Sequence, residues 1–186
     1  MKKIIVITIV VVTLALILFT GCNGGTASTG NVKTGLGQVV SITKSVDATA
    51  DKDGAAQVDT IMAAVSVDAQ GKIVSVTIDN AQTKVLFDAQ GKLKSDITQV
   101  QKTKVELGKD YGMIRGSGIG KEWFEQIAEL EKWMTGKTID QIKAMKVKKV
   151  DESHTNVPDE PDLTSKVTVS VEDYIAAVEE AVKKAK

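Results

Sequence analysis

Two short segments hold most of the residues that could do chemistry. The first, YGMIRGSGIGKEW over residues 111–123, is a glycine-rich loop running straight into a helix-spaced apolar stretch. Backbone amides at such a junction point outward, and a helix N-terminus attracts anions through those amides and its macrodipole. Arg115, the sole arginine of the chain, could add a bidentate hold on a phosphate. The candidates for that hold are Arg115, Gly116, Ser117, Gly118 and Gly120. The loop is not a Walker A sequence, because Lys121 is followed by Glu122 instead of Ser or Thr, and its glycine spacing is not the dinucleotide fingerprint. A turn-rich connection whose glycines allow close packing is the structural alternative.

The second segment, DLTSKVTVS over residues 162–170, places Thr164, Ser165, Thr168 and Ser170 just before another helical stretch. Hydroxyls there either serve a ligand or belong to a Thr-rich strand ended by Ser170 as the helix N-cap. Trp123, Phe124 and Trp133 fit a helix core, and a flavin-stacking wall is the other use for such a group. His154 stands in a charged stretch with Asp151, Glu152, Asp159 and Glu160, whose spacing is not that of a calcium loop. One histidine without a positioned partner supports no Ser-His-Asp arrangement.

These segments need elements to hold them. Val39–Val46 alternates weakly, residues 57–67 are β-branched and apolar, and Ile73, Val74, Val76 and Ile78 follow the turn sequence DAQGK at 68–72. The same five residues recur at 88–92, with glycine where a positive φ is easiest, so the pattern predicts a hairpin meander. From Lys121 the period becomes helical through Trp123, Ile127, Leu130 and Met134, and Gly136 ends it. Thr138 and Gln141 form a capping-box pattern for a short helix through Met145, and Ser170-Val-Glu-Asp173 a looser one for the last helix. Residues 146–162, with Pro158 and Pro161, predict a surface loop. Strands first and helices later predict an α+β domain, an antiparallel sheet meander with helices packed on one face and a helix at the C-terminal end.

The start of the chain sets the compartment. Lys2 and Lys3 precede an apolar run over 4–19, and Cys22, the only cysteine, closes it. This is a secretory signal pattern, and Phe19-Thr20-Gly21-Cys22 resembles the lipobox of bacterial lipoproteins. The resemblance implies cleavage before Cys22 and a diacylglyceryl thioether on its sulfur, with two acyl chains giving stable anchoring. An uncleaved membrane-spanning helix is the alternative, against which the run is slightly short of the ~20 apolar residues a span needs. The predicted organisation is a signal peptide over 1–21, a glycine-rich tether over 22–37 and one domain over 38–186, lipid-anchored on the extracytoplasmic face of the cell membrane. A single cysteine leaves no internal disulfide, so packing alone must hold the domain. With 24 basic and 24 acidic residues, the chain offers no footprint for nucleic acid.

Over roughly residues 57–186 the chain also resembles the FMN-binding domain of bacterial electron-transfer lipoproteins. SGIG at 117–120 resembles that family's T-P-G-I-G loop, TGKT at 135–138 its glycine-lysine connector, and SKVTVS at 165–170 its S-G-A-T-x-S motif. The resemblance implies an FMN site in which Thr168, flanked by Ser165 and Ser170, carries the flavin through a phosphoester, Arg115 and the amides of 116–120 hold the phosphate or a ring carbonyl, and Trp123 or Tyr111 packs on the ring. It further implies a non-catalytic electron carrier with a membrane electron donor as partner. Lys166 and Val167 stand where the family has glycine and alanine, which leaves noncovalent FMN open. It also leaves open a non-redox surface lipoprotein that binds a small ligand or a protein partner through the same pocket.

Overall fold

The computed structural model describes residues 31–186; the apolar run over 4–19 and Cys22, on which the expected signal peptide and lipidation rest, lie outside the described residues. Three strands, β1 (Lys33–Ser41), β2 (Gly54–Val67) and β3 (Ile73–Phe87), form an antiparallel sheet in the order β1-β2-β3. Helices follow: α1 (Lys104–Leu107), α2 (Trp123–Met134), α3 (Ile139–Lys143) and α4 (Glu172–Lys184). A two-stranded ribbon, β4 (Val147–Lys148) with β5 (Val157–Pro158), lies between α3 and α4. The α+β meander with helices on one face is therefore the fold.

Alternation puts Ile61, Ala63, Val65 and Val67 of β2 and Val76 and Ile78 of β3 on one face. Against that face pack Ile127, Leu130 and Met134 of α2 and Ala177, Val178 and Ala181 of α4. The two edge strands each give one backbone N–H to a helix carboxylate: Gln38 to Glu180 at 2.5 Å and Ile78 to Glu131 at 2.6 Å. Such contacts cover amides that would otherwise invite edge pairing. Burial pushes the Glu131 carboxyl above the ordinary range, and the Ile78 N–H works against that shift. The two DAQGK segments fold alike. In each the aspartate, Asp68 or Asp88, accepts from the amides two and four residues on, and the glycine, Gly71 or Gly91, has φ near +75° (73 and 77).

Four expectations need correction. Residues 33–37, read as the end of the tether, are the first half of β1. Their glycines are packing residues: a Cβ on Gly35 would lie 2.0 Å from the Ala181 carbonyl oxygen, and one on Gly37 2.1 Å from that of Ala177. The 146–162 stretch is partly a β ribbon, because Val157 and Pro158 are buried and need a paired backbone. The Thr-rich residues before α4 form turns instead of a strand, with Leu163, Lys166 and Val167 amides bonding back to Glu160 and Leu163 carbonyls. Finally, Ser170 does not cap α4. The helix starts at Glu172 with Val171 at the cap position and no side-chain cap, and Ser170 Oγ accepts from the Asn156 N–H at 3.3 Å.

Candidate functional site

Gln126, one turn into α2 and fully buried, joins the two segments singled out by sequence. Its Nε2 donates to Ser117 Oγ and to the Lys121 carbonyl, each at 3.3 Å. Its Oε1 accepts from the Thr168 amide at 2.8 Å and the Thr168 hydroxyl at 3.1 Å. One side-chain amide thus fixes the glycine loop against the hydroxyl segment. A buried amide is worth keeping only when its groups are satisfied, and here both ends are. Thr168 stays partly exposed, and Ser165 is exposed.

Around this junction the charges are arranged in a chain. Glu129 receives Lys166 at 3.2 Å and Lys121 at 3.5 Å, and the Lys166 contact holds its carboxyl below the ordinary range. Gly118 and Gly120 face open space, with no atom within 4 Å of an added Cβ, so a phosphate can approach the loop backbone there. The amides of Gly116, Ser117 and Gly120, expected to be free, are bonded to the Met113 and Ser117 carbonyls. The start of α2 is occupied too. Glu125 accepts from the Glu122 N–H and Glu122 from the Met113 N–H, both at 2.8 Å. Arg115 is exposed and lines a hollow with Glu122 and Glu125, so its side chain is not brought together with Thr168.

Trp123 is 1% exposed and offers no free face. Its indole N–H donates to the Tyr174 hydroxyl at 3.0 Å, the two rings meet edge-on, and the Lys104 ammonium lies 5.1 Å from its centroid. It is a core residue. The His154 Nδ1 meets both Asp151 carboxylate oxygens at 2.9 Å on the surface, and among the described residues no group of three metal-ligating side chains converges.

On the other side of the hydroxyl segment, past Val169 and Ser170, a cleft of about 290 Å³ opens between the sheet and the start of α4. Its polar residues were not identified from sequence. Asp59 and Asn80 sit on the apolar face of β2 and β3, 7% and 4% exposed, and Lys104 of α1 is 7% exposed. Burial opposes the charge on Asp59, but Lys44 at 2.7 Å and the Gln57 amide at 2.8 Å hold its carboxyl below the ordinary range. The Lys104 ammonium lies 4.7 Å from the Tyr111 ring centroid and has no carboxylate partner among the described residues; burial, then Lys44, lower its pKa to about 8. Burial also pushes the Tyr174 phenol up to about 12. The Asn80 Oδ1 is buried with no hydrogen-bond partner.

Period-two reading of Gln57, Asp59 and Asn80 onto the same face as Ile61 and Ile78 would have exposed this cluster. Thr103-x-x-Glu106, a capping box that the structure forms, would have found α1 and with it Lys104. No family model matches the chain, and neither a curated protein nor a solved structure matches it.

Proposed function

We propose that this chain is a membrane-anchored extracytoplasmic lipoprotein that binds FMN and acts in electron transfer. The observation that carries the reading is the Gln126 amide, bonded at once to Ser117 of the glycine loop and to Thr168. The two pieces of sequence that resemble a flavin-phosphate site are thus one place in space. Ser117, the open backbone at Gly118 and the Lys166 ammonium would hold the phosphate end, with the Thr168 oxygen, whose proton goes to Gln126, as the point of covalent attachment. FMN, when bound, supplies one- and two-electron transfer, and the protein's share is binding and electrostatics. Lipidation at Cys22 would confine the site to the membrane.

A second reading, a non-redox lipoprotein binding another small ligand, is favoured by the carboxylates at the phosphate end. Glu122 and Glu125 occupy the start of α2, and Glu129 already holds Lys166.

Titration with FMN, followed by quenching of flavin fluorescence, separates the two. The parent should saturate. Ser117→Ala, which removes a hydroxyl whose oxygen accepts from Gln126 and Lys121 and whose proton is uncommitted, should weaken binding roughly tenfold or more, the worth of one charge-assisted hydrogen bond, while Arg115→Ala should change it less. Failure of the parent to saturate would remove flavin from the account.

A further inference from the structure

The cleft between the sheet and α4 is a built site that the flavin reading does not use. Two of its buried groups and one exposed carboxylate are left for a ligand. The Asn80 side chain meets the Tyr174 hydroxyl, but its Oδ1 is a buried acceptor with no hydrogen-bond partner, and such an acceptor costs stability unless a donor reaches it. The Lys104 ammonium is buried against two aromatic rings and forms no ion pair among the described residues, though Asp59 and Asp79 lie near enough to favour its charge. Asp173, in the first turn of α4, lines the same cleft, and among the described residues its carboxylate forms no ion pair. Burial raises the Asp173 carboxyl above its ordinary range, and its place in the first turn also suits the helix dipole.

A free cation and a free anion in one cleft, not touching each other, define the complement. The ligand must bring a negative group to Lys104 and a positive or N–H-bearing group to Asp173 and Asn80. A phosphate dianion is the wrong charge, since Asp59, Glu172 and Asp173 outnumber Lys44 and Lys104 in the lining. The apolar floor, with Val39, Ile61 and Val169, suits a short aliphatic part. Volume agrees, because about 290 Å³ holds on the order of ten water-sized groups at ~30 Å³ each.

We infer that this cleft binds a small zwitterion of the α-amino-acid class, its carboxylate on Lys104 and its ammonium against Asn80 Oδ1 and Asp173. The site stands independently of the flavin reading, on the far side of Val169 and Ser170 from the Thr168 hydroxyl.

The test uses the lysine Cε–Nζ signals of the folded domain in heteronuclear NMR, with the Lys104 signal assigned by its loss in Lys104→Met. The free L-amino acids are added singly at up to ~10 mM, an order above a weak millimolar Kd, beside propionate and propylamine, which each carry one end only. At least one aliphatic amino acid should shift the Lys104 signal with saturation, and both single-ended compounds should bind roughly tenfold more weakly or worse. Asn80→Ala, checked for folding by circular dichroism, should weaken the same amino acid. No saturating shift with any amino acid overturns the inference, as does propionate binding equally well. If FMN alone moves the Lys104 signal, the cleft belongs to the flavin and the zwitterion assignment falls while the flavin proposal stands.

Discussion

Gly37→Ala should destabilise the domain by about 3 kcal/mol, the upper end of what overpacking costs. The added Cβ would sit 2.1 Å from the Ala177 carbonyl oxygen and 2.4 Å from the Ala181 amide nitrogen. Both are helix backbone, so no side chain can rotate away. Either β1 leaves α4 or α4 shifts, and each opens the core around Ala177 and Val178, which are fully buried. Alanine restricts the unfolded chain more than glycine does, but that gain is only ~0.4–1 kcal/mol. Gly118→Ala is the control: nothing lies within 4 Å of its Cβ, and the change should stay within ~0.5 kcal/mol. Urea unfolding of the two variants would read the difference as a shift in midpoint at similar slope. Equal midpoints would mean that β1 does not press against α4 as described.

Lys104→Met should act in the opposite direction and stabilise the protein. A lysine whose pKa falls from 10.5 to about 8 stores up to ~3 kcal/mol of unfavourable burial at neutral pH, at 1.36 kcal/mol per tenfold change. Methionine keeps the apolar volume and removes the charge, while losing cation–π contacts worth ~0.5–2 kcal/mol. A net gain of about 1–2 kcal/mol follows. The pH dependence has a definite sign. Between pH 8 and about 10 the unfolded chain holds the Lys104 proton and the folded one does not, so parental stability rises with pH across that window. Above pH 10 the raised phenols of Tyr111 and Tyr174 stay protonated in the fold but ionise in the unfolded chain, and stability falls. Chemical denaturation at pH 7, 8.5 and 9.5 should show the rise in the parent and its absence in Lys104→Met. A parent that is flat over this range, or a destabilised variant, would contradict the buried, unpaired ammonium. A residue that costs stability where a methionine would serve marks a site shaped for something other than folding.

The fold was legible where one signal dominated. The helical period from Trp123 to Met134, the Thr138–Gln141 capping box and the twice-used DAQGK turn all formed as the sequence implies. β1 was obscured because glycine and threonine read as a linker by composition, while Gly35 and Gly37 are required by the approach of α4. That is a tertiary demand with no local trace. The same holds for Ser170, whose cap pattern lost to a bond with the Asn156 amide. At the site, Thr168 and Ser117 were found by type and motif, but their link, Gln126, looked like one more polar residue on a helix. Buried polar positions become visible only when the strand and helix faces are drawn. Trp123, offered as a ring-packing residue, went instead to the core with Tyr174 and Lys104.

The absorption spectrum of the protein extracted from the membranes of its own host tests the central claim most directly. A flavin carrier should show bands near ~370 and ~450 nm, landmarks of the cofactor class, in proportion to protein and bleached by dithionite. A colourless protein that stays colourless after incubation with FMN would contradict the account.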